Sequence, residues 1–72
     1  MADTLKLLDV VALVEAIPEH NLQRGQVGTV VEILAPDVFE VEFSDNDGRT
    51  YALLPLQAEQ LLPLIHEPVG TA

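Results

Sequence analysis

Within residues 38–43, VFEVEF, apolar and acidic side chains alternate strictly from Phe39 to Phe43, and this alternation constrains the fold more than any other feature. A period of two residues places one set of side chains on each face of a β-strand, so Glu40 and Glu42 share the face opposite the apolar residues. The Asp-Gly pair at Asp47–Gly48 then supplies the positive φ angle that a tight hairpin requires. The sequence therefore predicts an antiparallel hairpin in which residues 51–54 form the returning strand.

Two apolar segments precede this hairpin and predict two more strands. Residues 9–17, DVVALVEAI, are rich in valine and stop at Pro18, which suits a strand buried on both faces, with a helix as the alternative. Residues 27–34 form the second predicted strand, in which Gly28 marks a bulge or a close backbone crossing. A turn at residues 35–37, APD, joins it to the next strand, so the second, third and fourth strands form a meander.

The remaining segments complete an all-β architecture. The polar loop at residues 18–26 has Leu22 as its single apolar residue, which we expect to pin the loop to the core. Pro55 interrupts the fourth strand, residues 56–60 predict one helical or 3₁₀ turn, and residues 61–65 predict a short last strand. Five short strands with one such turn before the last are typical of a small SH3-like barrel.

The chain is short enough for a single domain and has no cysteine to stabilise it. We interpret all 72 residues as one domain, with an ordered core at about residues 5–65 and a frayed tail at residues 66–72. A short helical turn is expected within residues 1–8, with Leu5 and Leu8 on one side. Burial of apolar side chains, which make up 49% of the sequence, must hold this fold together.

The charge of the chain excludes two classes of partner. Twelve acidic side chains against three basic ones, Lys6, Arg24 and Arg49, give a formal net charge of −9. Nucleic acids and anionic membrane surfaces would be repelled, because binding to either draws on clustered Lys and Arg side chains. A basic protein partner fits this charge, and simple solubility is the alternative explanation. The longest uncharged apolar run, residues 51–56, is too short to cross a bilayer and no signal peptide is recognisable, so we expect a cytoplasmic protein.

Residues 22–33, LQRGQVGTVVEI, resemble the KOW signature, the glycine-hinged strand of several ribosomal and transcription-factor barrels. The resemblance implies a tightly coiled small barrel and, in those proteins, nucleic-acid binding. The net negative charge argues against the second implication, and small barrels of this kind also serve other functions. We therefore expect the fold without the nucleic-acid partner.

A second resemblance covers nearly the whole chain, from Leu7 to Leu64. The segments LLDVVAL, RGQVGTVVEI, EVEFSDNDGRTYALL and AEQLLPL follow one another in the order and spacing of a small bacterial family, often cyanobacterial, catalogued as domain of unknown function 4926. This resemblance implies a stand-alone SH3-like barrel, and it implies no activity, cofactor or catalytic residue. A more distant likeness to the barrel domain of the nitrile hydratase beta subunit suggests an accessory or assembly role by analogy.

No combination of residues predicts catalysis or metal binding. Residues 45–48, DNDG, suggest a calcium loop, but an EF-hand register begun at Asp45 places an arginine and a leucine where oxygen ligands are needed. His20 and His66, the only imidazoles, are far apart in sequence, and Ser44 is expected to cap the hairpin turn rather than act as a nucleophile. We therefore expect a protein without enzymatic activity, cofactor or metal.

Acidic side chains on the predicted meander form the candidate binding site. Glutamates of neighbouring strands would share one face and aspartates of the turns would extend it, so a cationic partner surface would relieve their repulsion. Arg24 and Arg49 are an alternative, internal source of neutralisation. Tyr51 is expected to face the same way as Arg49 and to close one end of the barrel, with its hydroxyl group reaching solvent. The candidate partner-binding residues are Glu32, Glu40, Glu42, Asp45, Asp47, Arg49 and Tyr51, with Asp37 in the same patch.

The resulting hypothesis is a non-enzymatic protein-binding module that presents its acidic meander and the loop at residues 18–26 to a protein partner. An immunity protein or antitoxin that covers the cationic active site of a small toxin is the alternative from a different class. A third possibility is a homo-oligomer built on Leu34, Leu53 and Leu62, if these side chains are exposed.

Overall fold

The computed structural model describes residues 5–64, which form one antiparallel sheet of five strands. Among these residues there are two short 3₁₀ turns and no α-helix, so the predicted all-β class is confirmed. No helix in this part of the chain has the length and apolar character needed to span a membrane. In chain order the elements are β1 (Val10–Leu13), a 3₁₀ turn (Pro18–His20), β2 (Val27–Ala35), β3 (Val38–Ser44), β4 (Thr50–Gln57), a second 3₁₀ turn (Ala58–Gln60) and β5 (Leu61–Pro63).

The hydrogen-bonded sheet is open, with the strand order β4-β3-β2-β1-β5. The second, third and fourth strands pair as the predicted antiparallel meander, and β1 pairs with both β2 and β5. The outer strands are therefore β4 and β5, and among the described residues no ladder joins them. Closure into a barrel is not confirmed, because it would require a hydrogen-bonded neighbour on both sides of every strand.

Alternate residues of β3 supply the centre of the core. Phe39, Val41 and Phe43 are buried, whereas Glu40 and Glu42 lie half-buried on the other face, as the alternation predicts. Apolar residues from each strand and from the segments before and after β1 pack against them. These core residues are Leu5, Val11, Leu13, Ile17, Leu22, Val30, Leu54, Leu56 and Leu61.

The first strand is shorter than predicted and ends at Leu13 rather than Ile17. Its partner strands end there, because β2 begins opposite Ala12 and β5 begins opposite Leu13. The consecutive residues Val11 to Leu13 are all buried, so the predicted burial on both faces is confirmed for this strand and the helical alternative is wrong. Ile17 instead forms an isolated antiparallel bridge with Leu22.

The loop between β1 and β2 is attached to the core as predicted. Leu22 is buried, and its backbone exchanges hydrogen bonds of 2.8 and 3.1 Å with Ile17. The 3₁₀ turn Pro18–His20 begins at the proline, whose fixed φ angle suits the first helical position. This turn was not predicted from the sequence, because a single turn of three residues carries no periodic pattern.

Gly28 lies at a close backbone crossing, which is one of the two roles predicted for it. A Cβ atom at this position would lie 2.7 Å from Val41 Cγ1 and 2.9 Å from Phe43 Cε2, too close for any side chain. The pairing of Gly28 with Val11 is regular, and the register shifts of β2 come later, between Val30 and Glu32 and between Ile33 and Ala35. The bulge is therefore not at the glycine.

The fourth strand continues through Pro55, so the predicted interruption is wrong. Pro55 pairs with Glu40 and the strand runs on to Gln57. Proline lacks an N–H group, but β4 is an outer strand and one of its sides needs no hydrogen-bond donors. The 3₁₀ turn that was predicted at residues 56–60 consequently begins later and occupies Ala58–Gln60.

The segment before β1 is a turn rather than the predicted helical turn. Lys6 N donates to Asp9 Oδ2 at 2.8 Å, and Asp9 N donates to Lys6 O at 3.0 Å. Leu5 is buried and Leu8 is exposed with φ of 71°, so they do not share one side. The predictions for residues 1–4, for Ile65 at the end of the last strand and for the tail at residues 66–72 lie outside the described residues.

Candidate functional site

Three glutamates share the outer face of the meander, and we call Glu32, Glu40 and Glu42 the glutamate face. Glu32 of β2 is the direct cross-strand partner of Glu40 of β3, and Glu42 follows two residues later on the same side of β3. Glu32 is exposed and the other two are half-buried. Like charges directly opposite each other in an antiparallel pair repel, so this face is electrostatically unfavourable in the isolated protein.

Glu42 is held in place by β4. Thr50 Oγ1 donates a hydrogen bond to Glu42 Oε2 across the β3–β4 hairpin. The direct cross-strand neighbours of Glu42 are Thr29 on β2 and Leu53 on β4. Thr50 was missed by sequence reasoning, because its position beside Glu42 depends on a register shift near the hairpin that no local pattern reveals.

Asp45 organises the β3–β4 turn. Its Oδ1 atom accepts hydrogen bonds from the backbone N–H groups of Asp47 and Arg49, both at 2.9 Å. Gly48 has φ of 82°, which confirms the predicted positive-φ position. The predicted cap, Ser44, lies one residue too early, because the side chain that reaches forward to the turn amides belongs to Asp45.

The carboxylates of the two turns lie at opposite ends of the glutamate face and do not form one cluster with each other. Asp37 lies in the β2–β3 turn, whereas Asp45 and Asp47 lie in the β3–β4 turn at the other end of β3. The seven residues of β3 separate these turns by roughly 24 Å at about 3.4 Å per residue. The predicted patch therefore divides into a central glutamate face and two separate acidic turns.

Tyr51 covers the end of the core next to Phe43. The two ring centroids are 6.4 Å apart with an interplanar angle of 40°, and Gln26 Nε2 donates to the Tyr51 hydroxyl at 2.9 Å. Ser44 pairs with Thr50 and Phe43 with Ala52, so Tyr51 is the extra residue of a bulge. The bulge explains why its ring packs beside a core residue although the ring is half exposed.

Residues 7–63 match the model of a protein family described as Domain of unknown function (DUF4926). This match covers more than half of the chain and includes all five strands. The chain belongs to the DUF4926 family. Comparisons with curated proteins and with solved structures found no match, so the likeness to the nitrile hydratase beta subunit stays a prediction.

The three leucines proposed for self-association are exposed in this DUF4926 chain, and they lie on three different strands. Leu34 is 45% exposed, and Leu53 and Leu62 are each 54% exposed. They lie on β2, β4 and β5, and the last two are the outer strands of the sheet. Sequence reasoning missed Val31 and Ile33, which are also exposed and lie beside Leu34 on β2.

Two shallow clefts lie outside the glutamate face of the DUF4926 chain. One, of about 410 Å³, lies between the β2–β3 turn and the second 3₁₀ turn and includes Asp37 and Glu59. The other, of about 380 Å³, lies beside Pro18 and Leu22. Within residues 5–64 no three acidic or imidazole side chains gather closely enough to hold a metal ion. His20 is exposed on the first 3₁₀ turn, and His66 lies outside the described residues.

Proposed function

We propose that this protein is a non-enzymatic binding module whose glutamate face contacts a cationic surface of a protein partner. The supporting observation is the direct pairing of Glu32 with Glu40, with Glu42 two residues further along the same face. Repulsion between these carboxylates weakens the isolated sheet slightly, and a positively charged partner surface relieves it. The net charge of −9 steers such a partner toward the protein over a longer range.

The site that we propose is smaller than the predicted set of residues. Asp45 is occupied in holding its own turn, and Tyr51 packs against Phe43. Asp47 and Arg49 lie with Asp45 at one end of the meander and can extend the contact on that side. Asp37 is at the opposite end and belongs to a separate surface.

A copurification experiment with matched baits tests this proposal. The bait Glu32→Gln/Glu40→Gln removes two charges from the glutamate face, and the control bait Glu15→Gln/Glu59→Gln removes two exposed charges elsewhere. Proteins retained by each bait from the native host are identified by mass spectrometry at low and high salt. We expect a basic protein that the unmodified chain and the control bait retain at low salt, and that the face variant loses. Equal retention by both baits, or retention that salt does not weaken, contradicts the proposal.

An immunity or antitoxin role is a narrower form of this proposal, in which the partner is a small toxin with a cationic active site. The glutamate face supplies the charge that such a partner requires. Deleting the gene alone is then lethal, and deleting it together with the toxin gene is harmless. Viability after the single deletion contradicts the antitoxin form and leaves the general binding role standing.

For the fold, we propose an opened SH3-like arrangement in a cytoplasmic bacterial protein. Three features support this arrangement: the strand order β4-β3-β2-β1-β5, the long β2 with two register shifts, and the 3₁₀ turn before the last strand. An experimental structure tests it through the angle between the two halves of β2. A straight β2 in a flat sheet contradicts it.

A further inference from the structure

Within residues 5–64, part of β2 has a hydrogen-bonded neighbour on one side only. The pairing of β1 with β2 covers Val27 to Thr29, and the last hydrogen bonds on that side join Val30 to Leu8 and Asp9 at 2.7 and 2.9 Å. Beyond this point Glu32, Ile33 and Ala35 pair with β3, and the residues at positions 31 and 34 are the extra residues of the register shifts. Among the described residues no strand pairs with this segment on the other side. We call residues 31–35 the free edge.

The free edge differs in composition from the other two open edges of the sheet. The outer strands carry Pro55 in β4 and Pro63 in β5, and proline prevents regular pairing with a further strand. Residues 31–35, VEILA, contain no proline and include Val31 and Ile33, two β-branched residues that favour β-strands. Val31, Ile33 and Leu34 are 37%, 46% and 45% exposed, respectively. An uncovered apolar edge promotes aggregation, so this edge is suited to an occupant.

We propose that the free edge accepts an extended segment of a partner protein as an additional β-strand, with basic and apolar residues alternating along that segment. Glu32 lies on the outer face of the edge beside Glu40, and the next residue, Ile33, is paired with the buried Phe39 on the inner face. Successive residues of an added strand would therefore lie opposite Glu32 and then opposite Ile33. A basic residue satisfies the first position and an apolar residue the second. The basic half of this pattern rests on the proposed function.

A second copy of this chain is the less suitable occupant. Two copies with a net charge of −9 each repel one another, and pairing of two free edges would bring Glu32 of both copies to the interface. The two register shifts of β2 also bend the edge. A flexible extended segment adapts to such a bend more easily than a second folded sheet edge does.

Amide hydrogen exchange on the full-length protein tests the inference with two capped heptapeptides. One alternates lysine with valine, and the control alternates lysine with glycine, so both carry the same charge and only the first favours a β-strand. We expect the lysine-valine peptide to slow exchange of the amides of residues 31–35 that point away from β3 by about tenfold. The lysine-glycine peptide leaves these rates unchanged.

A pair of variants checks that the apolar side of the edge contributes. Ile33→Thr keeps a β-branched side chain but removes apolar surface, and we expect it to weaken binding of the lysine-valine peptide by roughly fivefold. The control Leu62→Thr removes a similarly exposed leucine from β5 and leaves the affinity unchanged. Equal weakening by both variants contradicts docking at the free edge.

Four other outcomes of the exchange experiment overturn the inference. Slow amide exchange of residues 31–35 in the absence of peptide shows that the edge is already occupied. The occupant is a second copy of the chain if this protection increases with protein concentration, and another segment of the same chain if it does not. If both peptides shift the NMR resonances of Glu40 and Glu42 but do not slow exchange of the edge amides, the added strand is rejected and the proposed function is left intact. No response to either peptide also rejects it, and copurification with the glutamate-face baits then judges the proposed function separately.

Discussion

One carboxylate oxygen of Asp45 accepts hydrogen bonds from two backbone amides of the β3–β4 turn. Such a side chain replaces the hydrogen bonds that turn amides would otherwise make with water, and it fixes the loop in one conformation. Asp47 lies in the same turn, but it takes part through its backbone amide, which donates to the Asp45 carboxylate. Two neighbouring aspartates that look equivalent in the sequence therefore differ in what they contribute.

We expect Asp45→Ala to lower the free energy of unfolding by about 1 kcal/mol, since two turn amides lose their acceptor. Asp47→Ala is the matched control and should change stability by less than about 0.5 kcal/mol. Urea denaturation followed by circular dichroism measures both. Equal losses for the two variants would show that the Asp45 carboxylate does not organise the turn.

The cost of a side chain at Gly28 and Gly48 has different origins. We expect Gly28→Ala to destabilise the protein by about 2 kcal/mol or more, because its Cβ meets Val41 Cγ1 at 2.7 Å. Gly48→Ala has open space but a φ of 82°, and should cost about 1 kcal/mol. Urea denaturation of Gly28→Ala combined with Val41→Ala should show a smaller loss than the sum of the two single variants. Additive losses would locate the cost of Gly28→Ala elsewhere.

At the scale of whole elements, strands could be predicted where their signal is local. The alternation within residues 38–43 and the Asp47–Gly48 pair predicted β3 and its turn, because the side-chain period and the positive φ angle are properties of the local chain. The end of β1 and the continuation of β4 through Pro55 were missed, since both depend on where neighbouring strands lie. Closure of the sheet is likewise a property of distant pairings.

Much of the candidate site was also readable from the sequence. Residues two apart on a strand share a face, so Glu40 and Glu42 were placed correctly, and the short β2–β3 turn brings Glu32 beside them. Asp37 precedes β3 and Asp45 follows it, so their placement at opposite ends of this strand could have been predicted from the sequence. The free edge could not be predicted from the sequence, because it depends on where the pairing of β1 with β2 stops.

Pro55 should matter for association more than for stability. We expect Pro55→Thr to change the free energy of unfolding by less than about 1 kcal/mol, because the residue is exposed on an outer strand. The new N–H group makes that edge competent to pair, so sedimentation velocity should detect self-association at high concentration. The control Gln57→Thr, on the same strand, should remain as monodisperse as the unmodified chain. A monodisperse Pro55→Thr variant would show that proline does not protect this edge.

At the scale of the whole molecule, charge repulsion opposes the compact state. A net charge of −9 on 72 residues raises the energy of the folded protein relative to the expanded chain, and dissolved salt screens this repulsion. The glutamate face concentrates part of it between two paired strands. Stability should therefore depend on ionic strength, even though the core itself is apolar.

We expect sodium chloride added to about 0.5 M to raise the free energy of unfolding by roughly 1 kcal/mol at neutral pH. The variant Glu32→Gln/Glu40→Gln should be more stable at low salt and show a weaker salt dependence than Glu15→Gln/Glu19→Gln. Urea denaturation at several salt concentrations measures both effects. An identical salt dependence for the two variants would mean that the paired glutamates repel no more than other surface charges.

The position of β1 between β2 and β5 has a consequence for synthesis on the ribosome. Of the five strands β1 emerges first, and its partner β5 begins almost fifty residues later, since β1 ends at Leu13 and β5 starts at Leu61. Until then one side of β1 has no hydrogen-bonded neighbour, although Val11 and Leu13 are among the most deeply buried residues of the finished sheet. The nascent chain must therefore keep an apolar strand from wrong pairings until β5 has been made.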